Sequence, residues 1–355
     1  MIQKYLRLFV AAIFSFALFG GLFACDLYSV MDFTCFNTDV YIAVKGNLNS
    51  ETDNNIRSVF SDLENLLSLN KNGDVQSFNS SNANETTVFN NDAYNVAVKA
   101  KELYSFTDGL FNPAVLPLLR LWKLSSDTFD ANLITINPPS AEEIAAILPL
   151  CDFSKITFLN GALKKTESGI CLDFGGIAKG YAVDMAKDIL SEAGLKDGYI
   201  SVGGSSLYAF STEEDLSVKH PRKTGEYIFT VDKNLIKNSP LSTSGDYMRY
   251  YTDISGKRYP HIINGFTGYP ADTGIISATV IAGENAESSL RSACATDAIS
   301  TALMLMEKEK AESFIKEKLN GFYVFLVYEQ GGEKGIISNT DKINITDAEY
   351  GLTLI

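Results

Sequence analysis

Histidine is nearly missing from this chain. Its 355 residues hold two, His220 and His261, which excludes a metal site built on several imidazoles. Positive charge is short as well: 30 Lys and Arg stand against 43 Asp and Glu, a net charge of −13. A nucleic-acid binder would carry a basic face, so that class is excluded, although a nucleotide held through a metal is not. The five cysteines, Cys25, Cys35, Cys151, Cys171 and Cys294, show neither C-x-x-C nor zinc-type spacing. Any bound metal is therefore expected to be hard and oxygen-ligated, such as Mg²⁺. An exported chain can pair some of the last four cysteines, and the spacing does not choose the partners. No internal repeat at a period of about 20–50 residues is present.

Apolar residues make up 46% of the chain and charged ones 21%, enough to bury a real core in one large domain or two ordinary ones. The first residues, "MIQKYLRLFVAAIFSFALFGGLFAC", set Lys4 and Arg7 before an apolar run from Leu8 to Phe23. This pattern reads as a secretory signal over residues 1–24, and a single anchor helix has the same composition. "LFAC" resembles a lipobox, with Cys25 as the lipidated residue. Each reading places the body outside the cytoplasmic membrane, on the membrane through a lipid anchor if Cys25 is modified. Residues 25–35 are then a short tether.

Periodicity predicts strands in "TDVYIAVK" (38–45), "DGYISVGG", "YIFTVD", "GIISATVIAG" and "FYVFLVY". Helical spacing runs through Ile56, Val59, Phe60, Leu63, Leu66 and Leu67, and helices are expected over 91–106, 178–194, 296–306 and 308–319. Ser140 with Glu143 forms a capping box. The Asn/Ser-rich stretch 70–87 reads as a loop. Strands and helices mix without regular βαβ alternation, so the expected class is α+β, with mixed and antiparallel sheets flanked by helices.

Three segments carry chemistry. In "CLDFGGIAKGYAVD" (171–184), Gly175 and Gly176 leave backbone open to a ligand, and a helix follows whose first N–H groups favour an anion. Lys179 adds a point charge, and Asp173 can accept from a hydroxyl or amide. The pattern is neither a P-loop nor a dinucleotide fingerprint. A plain strand-to-helix turn with a surface lysine uses the same residues. In "STSGDYMRYYTDISGKRYPHIINGFTGYP" (242–270), His261 stands beside a Gly/Thr turn that exposes side chains, yet a lone histidine also serves structure. In "ATDAISTALMLM" (295–306), Asp297 and Thr301 lie four apart and share a helix face. A carboxylate and a hydroxyl there make part of a Mg²⁺ site, or Asp297 simply serves the helix dipole.

Taken in order, "DFGGIAKGYAVD", "STSGDY", "HIINGFTGYP" and "TDAISTAL" resemble the FAD:protein FMN transferases, the ApbE-type flavin transferases. "TDGLFNPAVLPLLRLWKL" (107–124) and "FNTDVYIAVKG" (36–46) are similar to further blocks of that family. The resemblance spans residues 36–330 and makes 331–355 a C-terminal extension of the same domain. It implies an active site in a cleft between two lobes. It also implies Mg²⁺-dependent cleavage of FAD, transfer of FMN to a Thr or Ser of an exported or membrane acceptor protein, and release of AMP. Carried over residue by residue, Asp173, Lys179 and Ile276 contact FAD. Phe36, Leu110, Phe111 and Asn112 line the flavin nucleotide. The Gly176 carbonyl, Asp297 and Thr301 hold Mg²⁺. His261 is the base for the acceptor hydroxyl, acting with Lys179 at the reacting phosphate, and an ordinary imidazole titrates near neutrality.

The sequence departs from the family pattern at three places. Asn112 replaces an Asp, Phe36 replaces a Met, and the loop at Leu69 and Asn70 lacks a tyrosine that some members stack on adenine. Two other functions share these residues: a Mg²⁺-dependent FAD pyrophosphatase, and a lipoprotein that binds FAD without turnover. A purely structural lipoprotein would have no use for the motif set.

Overall fold

The computed structural model describes residues 28–355, so the apolar run and the Cys25 lipidation site lie outside the described residues. A nine-stranded sheet organises the molecule. Its order is β1 (Tyr28–Cys35), β2 (Thr38–Lys45), β6 (Gly198–Val202), β7 (Ser206–Ser211), β10 (Ser239–Gly245), β13 (Ile275–Ala282), β14 (Phe322–Gln330), β15 (Glu333–Ser338) and β17 (Gly351–Leu354). All neighbours are antiparallel except β15 and β17. Smaller sheets are β3 (Thr86–Val88), β5 (Ala162–Lys165) and β4 (Ile156–Leu159); β16 (Ile343–Ile345), β9 (Tyr227–Val231) and β8 (Leu216–Lys219); and the hairpin β11 (Tyr250–Thr252) with β12 (Arg258–Pro260). The longer helices are α1 (Ser50–Leu67), α3 (Asn91–Phe106), α6 (Ala178–Glu192), α8 (Ala293–Leu303) and α9 (Lys308–Lys318). Shorter ones are α2 (Asp74–Ser80), α4 (Leu116–Leu121), α5 (Ala141–Ile147) and α7 (Lys233–Ile236). Among the described residues no helix is long and apolar enough to cross a membrane.

Two expectations need correction. Residues 28–35 are not tether but strand β1, paired with β2 from Tyr28↔Lys45 to Cys35↔Thr38. Alternate side chains face the helices and bury Met31 and Cys35. The connecting residues Phe36 and Asn37 both have left-handed backbone, φ 53° and 56°, as a two-residue hairpin turn requires. The stretch 70–87 is not all loop. Asp74–Ser80 turns helical because Val75 and Phe78, three apart, drop into the main core.

The helices α1, α3, α6 and α8 cover one face of the sheet and bury the largest core, from Met31 to Ile337. A second core, with Phe229, Ile276 and Phe325, lies under the β8–β9–β16 sheet. A third gathers Leu116, Leu118, Trp122, Ile144 and Tyr251 around α4, α5 and the β11–β12 hairpin. The segment 171–174 joins the first and third cores: Cys171 packs in the third, Leu172 and Phe174 in the first. Asp173 stands at that seam. The four cysteines among the described residues are buried and free.

Candidate active site

The site is built on the crossing of α6 and α8. Gly180 lets the two helices touch: a Cβ there would come within 2.3 Å of the Ala293 carbonyl oxygen. Gly180 lies in the first turn of α6, where N–H groups have no partner within the helix, and the N-cap residue, Ile177, supplies no side-chain bond. The Gly180 N–H donates instead to Asp297 Oδ2 of α8 at 2.8 Å. The Ser206 hydroxyl, from β7, donates to the same carboxylate at 2.7 Å and 2.9 Å. α6 returns the arrangement: Asp184 Oδ1 accepts from Ala293 N at 2.7 Å and Oδ2 from Cys294 N at 2.9 Å. Burial pushes the Asp184 carboxyl up to about 7 against its hydrogen bonds from Cys294 and Ala293, and raises that of Asp297 against the charge of Lys179 and its own hydrogen bonds.

Thr301 lies one turn after Asp297, and its Oγ1 is 3.2 Å from Ser244 Oγ of β10. Gly176 precedes α6 with Phe111 against it; an added Cβ would sit 3.1 Å from that ring. Among the described residues no cluster of three His, Cys, Asp or Glu side chains forms a metal site. A cation here would rest on one carboxylate, one hydroxyl and one carbonyl. That oxygen-only, single-carboxylate set suits Mg²⁺, which binds through one or two carboxylates and completes its shell with water and substrate phosphate. Asp297 Oδ1 has the Ser206 hydroxyl as donor while Oδ2 has both Ser206 and the Gly180 N–H, so the carboxylate's spare acceptor capacity lies on Oδ1.

Lys179, Asp173, Arg249 and His261 feel one another's charge beside this crossing. The Lys179 ammonium, in the first turn of α6, acts on Asp173, Asp297 and His261 alike, favouring the ionised acids and opposing a charged imidazole. Asp173 is turned by its own loop: the Gly175 N–H donates to its Oδ1 at 2.7 Å, and its backbone N–H reaches the Pro113 carbonyl at 2.8 Å. Burial raises the Asp173 carboxyl, while the Gly175 bond and the charge of Arg249 lower it. His261 follows β12 directly. Its Nδ1 lies 3.1 Å from the Arg249 carbonyl, which also accepts its backbone N–H at 3.0 Å. A carbonyl only accepts, so this bond assigns the proton to Nδ1 and leaves the Nε2 lone pair for another donor. Burial, then the Arg249 and Lys179 charges, hold the imidazole down to about 3. The expectation of an imidazole titrating near neutrality is therefore corrected for the free protein.

Other expected residues sit differently. Leu110 and Phe111 are buried in the main core, with the Phe111 ring against Gly176. Ile276 turns its side chain into the second core at a β-bulge, and its carbonyl accepts the Asp246 N–H at 3.1 Å. The Asn112 amide is spent on backbone: Nδ2 donates to the Cys151 carbonyl and Oδ1 accepts from Ala114 N, both at 2.8 Å. Phe36, strained at positive φ, donates its N–H to Glu64 Oε1 at 2.8 Å, and Glu64 Oε2 takes Lys71 at 2.7 Å. Glu64 thus ties the Phe36 turn to the loop of Leu69 and Asn70.

Sequence reasoning missed Arg249, Ser206, Ser244 and Asp184. Three of them stand inside the quoted segments, but only tertiary contact gives them work. It also missed the brace behind Asp173. Asn79 pairs with both backbone groups of Leu172, at 2.7 Å and 2.9 Å. The wholly buried Lys165 donates to the carbonyls of Phe78, Asn79 and Ile170 at 2.8–3.1 Å.

Known proteins share this architecture. The flavin transferase ApbE from Vibrio cholerae superposes with a TM-score of 0.74 at 20% identity, over 88% of this chain and 97% of that one. The Thermotoga maritima ApbE protein gives 0.73 at 28% identity, over 85% and 94%. The FAD:protein FMN transferase of Treponema pallidum is 24% identical over 311 residues, covering 81% of this chain and 80% of its own. That of Escherichia coli K12 is 28% identical over 233 residues, 63% of this chain and 61% of its own. Residues 34–326 match the ApbE family model, and with the α6–α8 crossing and its motifs in place, this chain belongs to the ApbE family.

Proposed function

We propose that this protein transfers FMN from FAD to a hydroxyl of a partner protein and releases AMP, with Mg²⁺ as cofactor. The observation that carries the reading is the α6–α8 crossing, where Asp297 accepts the Gly180 N–H and the Ser206 hydroxyl, Thr301 stands one turn on, and the Lys179 charge favours the ionised acid. Relatives named FAD:protein FMN transferase support the same reaction.

Lys179 and Arg249 supply positive charge for the pyrophosphate. Asp173, oriented by Gly175, accepts from an N–H or O–H of the nucleotide. The acceptor hydroxyl oxygen attacks the phosphorus on the FMN side, the P–O bond to AMP breaks, and the hydroxyl proton goes to His261 Nε2. The Nδ1–H bond to the Arg249 carbonyl keeps the ring turned and stabilises the imidazolium as it forms. Asp297, Thr301 and the Gly176 carbonyl are the ligands proposed for Mg²⁺. Such an ion, when bound, neutralises phosphate charge as the P–O bond breaks.

Incubation with FAD, Mg²⁺ and a candidate acceptor, followed by mass spectrometry, tests the reading. An acceptor heavier by one FMN, with AMP in equal amount, is the expected result. FMN and AMP without labelled protein would leave the pyrophosphatase, and no cleavage at all would leave a binding protein.

The sequence of residues 1–25 supports export with lipid attachment at Cys25, which would place the enzyme on the outer side of the cytoplasmic membrane beside exported or membrane-bound acceptors. Cys25→Ser should then leave an unprocessed precursor, and a mature N-terminus elsewhere would refute the assignment.

A further inference from the structure

Residues 170–173 lead into the Asp173 loop, and no strand holds them. Their backbone hangs on α2 instead. Asn79, in the last turn of α2, pairs with both backbone groups of Leu172: its Oδ1 accepts the N–H at 2.7 Å and its Nδ2 donates to the carbonyl at 2.9 Å. Behind it the Lys165 ammonium, on β5, matches its three N–H donors to three carbonyls, those of Phe78, Asn79 and Ile170. The first two belong to the C-terminal turn of α2, where carbonyls lack partners within the helix and a cation is favoured. Lys165 thus clamps the end of α2 to Ile170, and Asn79 carries the clamp on to Leu172.

The clamp ends at Asp173. Leu172 and Phe174 pack in the main core, and Asp173 between them does not. Any rotation of the Leu172 backbone would therefore swing the Asp173 side chain relative to that core. Two bonds from one amide to one residue resist such a rotation, where a single bond would act as a pivot. The next contacts continue the hold: the Asp173 N–H donates to the Pro113 carbonyl at 2.8 Å, and its Oδ1 accepts the Gly175 N–H at 2.7 Å. Among the described residues, the hydrogen bonds of the Asn79 and Lys165 side chains go to the backbone of α2, Ile170 and Leu172, and none goes to Lys179, His261, Asp297 or Thr301.

We infer that Asn79, backed by Lys165, is a positioning residue for FAD binding: it sets the Asp173 carboxylate against the nucleotide and takes no part in the transfer step. The inference rests on the reading above, in which Asp173 accepts from an N–H or O–H of FAD.

The test separates binding from chemistry in the full chain. FAD affinity is read by flavin-fluorescence titration in EDTA, and kcat at saturating FAD and Mg²⁺. Asp173→Ala should lower FAD affinity about tenfold or more. Asn79→Ala should lower it about three- to tenfold, with kcat changed less than about twofold. Added to Asp173→Ala, Asn79→Ala should weaken FAD less than about twofold further, because the carboxylate that Asn79 positions has gone. A residue serving the fold alone would have the same effect in both backgrounds. Asn79→Asp keeps the acceptor for the Leu172 N–H but sets an oxygen against the Leu172 carbonyl. It should weaken FAD in the same way, and it takes the place of Asn79→Ala if that variant does not fold. Lys165→Met should repeat the pattern. Unchanged FAD affinity in the Asn79 variants, an equal loss with and without the Asp173 carboxylate, or a loss in kcat alone overturns the inference. Wild-type affinity in Asp173→Ala would instead refute the reading that sets Asp173 on FAD, and the inference would fall with it.

Discussion

The carboxylate of Asp297 accepts the backbone N–H of Gly180 at 2.8 Å, so one side chain both closes the first turn of α6 and faces the proposed cation. These two duties separate by mutation. Asp297→Asn keeps an acceptor for Gly180 but loses the charge. It should abolish FAD cleavage while costing under about 1 kcal/mol of stability, the scale of one neutral hydrogen bond. Asp297→Ala should abolish cleavage and also cost about 1–3 kcal/mol, since the buried Ser206 hydroxyl and Gly180 N–H both lose their acceptor. Denaturant melts read the second effect. EDTA should silence the wild type, and activity that survived it would sink the Mg²⁺ assignment.

Gly180→Ala tests the helix crossing. The new Cβ would meet the Ala293 carbonyl at 2.3 Å, backbone against backbone, with no flexible side chain to give way. The expected loss is about 3 kcal/mol, the upper end of overpacking costs, together with loss of activity as Asp297 and Lys179 move apart. A variant with wild-type melting would mean that α6 and α8 shift freely, contrary to a crossing that fixes the site.

His261 gives a pH prediction whose sign follows from its environment. In the free protein the imidazole is held down to about 3, so it is already the neutral base at pH 5 and above. The acid limb of kcat/KM from this group should therefore lie well below the ordinary imidazole range. Bound FAD brings negative charge beside Lys179 and Arg249, so the limb in kcat should lie at higher pH than the limb in kcat/KM. Because the folded state disfavours the proton that an unfolded chain takes up near pH 6.5, this residue's contribution to stability is present above that pH and is lost as pH falls toward about 3. His261→Asn should lower turnover by roughly 10²–10⁴ with FAD affinity changed less than about tenfold. Near-normal transfer in that variant would make His261 structural.

Asn112→Asp restores the acid usual in the family, yet it should harm this protein. Asn112 Nδ2 donates to the Cys151 carbonyl, and a carboxylate there would set acceptor against acceptor. A loss of about 1–3 kcal/mol is expected in thermal or denaturant unfolding. Unchanged or improved stability would show that this bond contributes nothing.

The legible part of this protein is its local order. Strands and helices with clear periodicity, such as Thr38–Lys45, Asn91–Phe106 and Ala178–Glu192, follow from apolar spacing alone, and the capping box at Ser140 and Glu143 forms as its residue types demand. Aspartates and glycines at fixed offsets marked Asp173, Lys179, His261, Asp297 and Thr301 because motif chemistry is local in sequence. Strand β1 and helix α2 were less legible. One turns at Phe36 and Asn37, without the glycine that signals a tight hairpin, and the other forms from a polar stretch because two apolar side chains find a core. Tertiary structure alone decided the rest. The exchange of Asp184 and Asp297 between α6 and α8 joins residues over a hundred positions apart. The Lys165 brace and the Arg249 carbonyl under His261 likewise depend on which surfaces meet. A sequence states the charge and shape of each side chain, but a pKa, a tautomer or an unsatisfied donor is a property of neighbours, and only the folded chain supplies them.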